Sequence, residues 1–256
     1  MASQQQLGIV FLGATGGCGL SALRRALDQG HECIALCRKR ERLEQHFCSG
    51  QQEAEASRLP HKLVIRQGDA HDWAAVASCL RRPSNGGLVD AVCFSIGGSV
   101  SPWTLGMEEP HVCRKGIEAL VKALKTQRDT AGLSSWRPLV VMVSTTGISA
   151  HGRDVPLALV PLYRLLLHAP HRDKREAEAQ AQSSGERLVL VRPSLLVNGS
   201  ADWAVRVHLE GPAGVERREI GYTISREAVG AWIYECLLAQ AAQGSEYEGK
   251  AVGLTW

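Results

Sequence analysis

The chain has 256 residues, 45% of them hydrophobic and 21% charged, enough apolar material for one large domain or two small ones. Lys and Arg total 29 against 26 Asp and Glu, a net charge of +3 that gives no reason to expect nucleic acid or an anionic membrane as partner. No run of about 18 apolar residues occurs, which excludes a membrane-spanning helix.

The predicted elements alternate in type. Leu7 to Leu12 is a short apolar run ending in a glycine cluster, the pattern of a buried parallel strand. Leu20, Leu23 and Leu27 follow at helical spacing, with Gly30 at the expected C-terminal cap. Cys33 to Leu36 reads as a second strand, and Lys39 to about Gln52 as a charged helix. Leu63 to Ile65 is a short strand, Asp72 to Leu80 a short helix, and Val89 to Phe94 a fourth strand. His111 to Arg128 is a helix with Val112, Ile117, Leu120, Val121 and Leu124 on one side. Leu139 to Val143 is the fifth strand. A charged helix from about His171 to Ser184 then precedes a strand at Leu188 to Val191. A helix from Ser225 to Ala239 and a strand near Ala251 to Leu254 close the chain. Strands alternating with helices imply a doubly wound parallel α/β sheet. No repeat or linker divides the sequence, so residues 1–256 read as a single domain, with 195–225 as a small substrate-binding elaboration.

The N-terminus lacks the basic start and small-residue cleavage site of a signal peptide. The eight cysteines are scattered singly, without a CxxC pair, so neither a disulfide framework nor a metal site is expected. Cys33, Cys37, Cys79, Cys93 and Cys236 lie in or beside apolar segments, as small hydrophobes do. A reducing, cytoplasmic compartment follows, and Asn198-Gly199-Ser200 reads as a chance glycosylation match.

Gly13-Ala14-Thr15-Gly16-Gly17-Cys18-Gly19 follows the first strand and opens the first helix. That is the context of a dinucleotide-binding turn: glycine permits the sharp turn and lets backbone N–H groups approach a pyrophosphate, and the helix N-terminus adds partial positive charge. A carboxylate at the end of the second strand would bind an NAD ribose, whereas a cation there suits the 2′-phosphate of NADP. The chain offers Cys37-Arg38-Lys39-Arg40, with Arg38 placed 19 residues after Gly19, which favours NADP(H).

The spacing G-x-x-G-x-x-G at Gly13, Gly16 and Gly19 resembles the atypical branch of the short-chain dehydrogenase/reductase superfamily, closest to NmrA-like NAD(P)-binding proteins, many of which accompany fungal natural-product pathways. The resemblance covers nearly the whole chain and implies a Rossmann-like fold. Under it, Asp69 and Ala70 correspond to the segment contacting adenine, and Ser95-Ile96-Gly97-Gly98 to the loop beneath the nicotinamide ribose. Arg192 and Pro193 correspond to the turn beside the nicotinamide. Classical members of the superfamily use a Ser-Tyr-Lys triad with Tyr and Lys four residues apart. Ser144 fits the serine position, with Thr145 beside it, but Leu157 stands thirteen residues later where Tyr is expected, and Leu167 stands four residues after Tyr163. Lys174, in an Asp-Lys pair, resembles the lysine that contacts the ribose; its alternative is an exposed lysine paired with Glu178. Tyr163 is a proton-donor candidate that could instead pack beside Leu162, Leu165 and Leu166.

His151, His168 and His171 are further acid–base candidates. The loop from Gly97 to Pro110, with Trp103 and Met107, and the stretch from Asn198 to Tyr222, with Trp203, are candidate walls of a substrate pocket. The resemblance implies an NADPH-dependent oxidoreductase acting on a small or polycyclic organic substrate. A redox-neutral isomerase or cyclase, and a non-catalytic NADP-sensing regulator, are the alternatives. For a homodimer, the apolar helices at 111–128 and 155–168 are the candidate surfaces.

Overall fold

The computed structural model describes residues 5–48, 59–97, 109–161 and 168–256. The first half contains β1 (Gly8–Leu12), α1 (Gly17–Asp28), β2 (Glu32–Cys37), α2 (Arg40–Glu44), β3 (Leu63–Gln67), α3 (Trp73–Cys79) and β4 (Ala91–Phe94). It is followed by α4 (Val112–Ala131), β5 (Leu139–Val143), α5 (His168–Ser183), β6 (Arg187–Pro193) and β7 (Leu195–Val197). The chain ends with β8 (Arg206–Gly211), β9 (Gly214–Arg217), β10 (Thr223–Ser225), α6 (Arg226–Cys236) and β11 (Ala251–Thr255).

The main sheet has the order β3-β2-β1-β4-β5-β6-β11-β8-β9. Every pairing from β3 to β11 is parallel, and β8 and β9 extend the edge antiparallel. This is a doubly wound, Rossmann-like α/β sheet whose order reverses between β1 and β4, where such sheets open their ligand crevice. Strand side chains alternate between faces. Ile9, Phe11, Ala35, Cys93, Val141 and Val191 pack on one side with α1 and α6, whereas Val10, Leu12, Ile34, Val92, Met142 and Leu190 pack on the other with α3, α4 and α5. Both faces are covered, which is why the central strands read as unbroken apolar runs.

Local chemistry sets several boundaries. The Asp72 carboxylate accepts from the Ala74 N–H at 2.9 Å and caps α3. Gly30, at φ +78°, turns the chain out of α1. The helix expected from Lys39 to about Gln52 is instead Arg40–Glu44, because the chain turns over residues 45–48; residues 49–58 lie outside the described ones. The apolar side of α4 expected at a dimer surface is spent internally: Val112, Ile117, Leu120 and Leu124 are all buried in this chain's own core. The stretch 195–225 also differs from expectation. It sends β8 and β9 into the main sheet, while β7 and β10 form a separate parallel ribbon. No helix among the described residues is long and apolar enough to cross a membrane.

One helix contact depends on a missing side chain. A Cβ at Gly230 of α6 would lie 2.6 Å from the Cys18 carbonyl oxygen and would overlap Ser21 on α1. The Ser21 hydroxyl in turn donates to the Glu227 carbonyl at 3.0 Å. Gly230→Ala therefore overpacks the junction, and the urea midpoint should fall by an amount equivalent to about 1–3 kcal/mol without a change in m.

Candidate functional site

The turn between β1 and α1 is built by close approach. Gly13 has φ +93°, and a Cβ there would sit 2.7 Å from the Ser95 backbone. At Gly19 a Cβ would overlap the Ser95 hydroxyl and lie 2.9 Å from the Gly13 carbonyl. Gly16 differs, because its Cβ would enter open space. Gly16 offers no side-chain cap to α1, and the first turn carries no acid, so the first N–H groups of the helix are left without a side-chain partner. Ala14, within this turn, is buried.

Two adjoining cavities of about 460 Å³ each open here and share Ser95, Ile96 and Gly97. The first is bordered by Thr15, Arg38, Lys39, Arg42, Asp69 and Ala70. Arg40 turns away from it: its guanidinium bonds Glu44 at 2.5 Å and the Ile65 carbonyl at 3.3 Å. Arg38 is exposed at the rim, and its guanidinium has no carboxylate partner among the described residues. The Asp69 carboxylate accepts from the His71 N–H at 3.0 Å, which fixes the turn after β3.

The second cavity is bordered by Gly16, Gly17, Cys18, Ser144, His171, Lys174, Pro193 and Arg226. Lys174 Nζ donates to the Val143 carbonyl at 2.7 Å and the Ile96 carbonyl at 3.0 Å, so it ties together the ends of β4 and β5. Its neighbour Asp173 accepts from the N–H groups of Cys113 (2.9 Å) and Arg114 (3.0 Å), capping α4 from outside the helix. An ammonium has three donors, and two of them are used on carbonyls, leaving one for the cavity. The buried Ser144 hydroxyl has no hydrogen-bond partner among the described residues. Burial pushes the Cys18 and Cys113 thiols up to about 11, so both line the cavity as protonated, apolar groups. Leu195 and Leu196 contribute an apolar wall.

Several expected residues lie elsewhere. Tyr163, Gly98, Trp103 and Met107 fall outside the described residues. Arg192 does not face the crevice: strand alternation leaves Pro193 there and turns Arg192 to the other side of β6. Its guanidinium is held by Glu178 at 3.0 and 2.7 Å and by Glu210 at 2.7 Å. Glu178 thus serves Arg192, not Lys174. His151 is exposed and borders a separate opening with Arg175 and Glu210. Trp203 is exposed, with its ring 5.8 Å from that of Trp256.

Glu210 also takes hydrogen bonds from Ser149 (2.5 Å) and His208 (3.0 Å). Burial raises its pKa, but those hydrogen bonds and the Arg192 charge outweigh that and hold it at about 2. Because the folded value lies below the unfolded one, the stabilisation is complete above about pH 4.5 and is lost as pH falls toward 2. Asp154, raised chiefly by burial, acts in the opposite sense. Glu210→Gln should remove the Glu210 component, flattening the acid limb of a stability–pH curve. It should also cost about 1–3 kcal/mol at pH 7, read by denaturant unfolding.

Arg226 carries no signal in a motif. Its only sequence cue is a cation at the first position of a helix, where the dipole favours acids.

The NAD(P)H-binding family model matches residues 13–240. The chain belongs to this family. It is 35% identical to "Reductase pytE" of Aspergillus terreus, over 97% of each chain. It is 30% identical to "Oxidase pynE" of Aspergillus niger, over 96% of this chain and 98% of that one. Among solved structures, a short-chain dehydrogenase/reductase from Veillonella parvula in complex with NADP superposes with a TM-score of 0.69. It covers 98% of this chain and 95% of that one at 16% identity, a likeness of fold.

Proposed function

We propose that this family member is an NADPH-dependent oxidoreductase of the atypical short-chain type, acting on a small or polycyclic organic substrate of secondary metabolism. The observation that carries this reading is the crevice itself. An open glycine turn, with space where a Gly16 Cβ would stand, leads to Arg38, Lys39 and Arg42, whose cations have no carboxylate partners among the described residues. The names of the two fungal relatives, a reductase and an oxidase, support hydride transfer.

The residues fit a dinucleotide. Gly13 to Gly19 and the α1 N-terminus would hold the pyrophosphate, and Arg38 the 2′-phosphate. Asp69 and Ala70 would meet the adenine, Ser95 to Gly97 and the third donor of Lys174 the nicotinamide ribose, and Pro193 the nicotinamide. The bound cofactor supplies or accepts the hydride. Ser144, whose hydroxyl is unpartnered among the described residues, would orient the substrate oxygen. His171 borders the same cavity and is the acid–base candidate among the described residues. Leu195 and Leu196 begin the 195–225 stretch and would give the substrate an apolar wall. The cysteines are all free, which suits a reducing, cytoplasmic setting.

Fluorescence titration should show NADPH binding more tightly than NADH. Arg38→Ala should weaken NADPH about tenfold and leave NADH unchanged. Failure to bind either nucleotide would overturn the cofactor assignment, and equal losses for both would overturn the role of Arg38. With a substrate in hand, Ser144→Ala should lower kcat about 100-fold while NADPH affinity holds. A product of unchanged mass would point to isomerisation instead.

A further inference from the structure

Arg226 lies far in sequence from the glycine turn, yet it borders the same cavity as Gly16, Gly17 and Cys18. A Cβ at Gly17 would come within 3.5 Å of Arg226 Cδ and 3.9 Å of Nε. Among the described residues the guanidinium makes one hydrogen bond, from Nη1 to Asn198 Oδ1 at 3.0 Å. It forms no ion pair among the described residues. The adjacent acid, Glu227, is engaged elsewhere, bonding Arg25 at 3.0 Å. Among the described residues no carboxylate borders this cavity, whose Lys and Arg residues are Lys174 and Arg226. Lys174 is tied to two carbonyls at the far side, so Arg226 is the cation left beside the glycine turn.

The placement is built, not incidental. Ser225 caps α6 by accepting from the Ala228 N–H at 2.9 Å, and its hydroxyl donates to the Ser200 carbonyl at 2.7 Å. The absent Cβ at Gly230 lets α6 lie against α1, which brings the first residue of α6 over the first turn of α1. Arginine there opposes the dipole of its own helix, a local cost that an anion in the cavity would offset.

We propose that Arg226, from its place over the first turn of α1, holds the cofactor pyrophosphate together with the N-terminus of that helix. The assignment rests on the cofactor reading above and adds to it a residue from the C-terminal part of the chain. Backbone N–H groups of the glycine turn and the planar guanidinium, steadied by Asn198, would share the diphosphate.

The test separates the phosphates of the nucleotide. Wild type, Arg226→Ala, Arg226→Lys and Arg38→Ala are titrated calorimetrically with NADPH, 2′-phospho-ADP-ribose and adenosine 2′-monophosphate. Arg226→Ala should weaken the two diphosphate ligands about 10- to 100-fold and leave adenosine 2′-monophosphate unchanged. Arg226→Lys should recover part of the loss, and Arg38→Ala should weaken all three ligands. Unaltered NADPH affinity in Arg226→Ala, beside a wild type that binds, overturns the role of Arg226 alone. Equal losses for all three ligands in Arg226→Ala, with no recovery in Arg226→Lys, assign the residue a structural role and also overturn it. A wild type that binds none of the ligands overturns the cofactor reading and the role of Arg226 together.

Discussion

The structure depends on how closely α1 is gripped from two sides. Toward the sheet, Gly13 and Gly19 remove the side chains that would strike Ser95 at the end of β4. Toward the outer layer, Gly230 removes the one that would strike Cys18 and Ser21. These approaches fix the helix N-terminus at the point where the strand order reverses. Everything assigned to the phosphate half of the crevice follows from that position, including the reach of Arg226.

The second cavity is organised by a dipeptide instead. Asp173 caps α4, and Lys174 joins the carbonyl ends at Ile96 and Val143. Neither interaction depends on an aromatic proton donor. The lysine is therefore held in place without a tyrosine four residues before it, and the proposed ribose contact needs no such tyrosine to position it.

The parallel sheet was legible because its strands are buried on both faces and read as β-branched or aliphatic runs; Leu139–Val143 begins and ends where the sequence indicates. The glycine turn was legible because its chemistry is local. β8 and β9 were not, since Arg206–Gly211 and Gly214–Arg217 mix charge and glycine at an antiparallel edge. Arg192 was misread because period-two alternation decides which of two adjacent residues faces the ligand, and the motif names both. Its true surroundings, Glu178 and Glu210, lie 14 and 18 residues away, and no spacing rule connects them. Arg226 was invisible for the same reason: its meaning lies in a helix crossing.

The adjacency of Asp173 and Lys174 also constrains assembly. If α5 slid by one turn along its axis, the carboxylate would leave two amide groups of α4 bare at the same moment that the ammonium lost both carbonyls. No intermediate register satisfies one residue while abandoning the other, because a single peptide unit carries both. The pair thus works as a key cut on two faces: the helix seats at the edge of the cavity in one position or does not seat, and a misplaced α5 announces itself by unsatisfied polar groups before any ligand arrives.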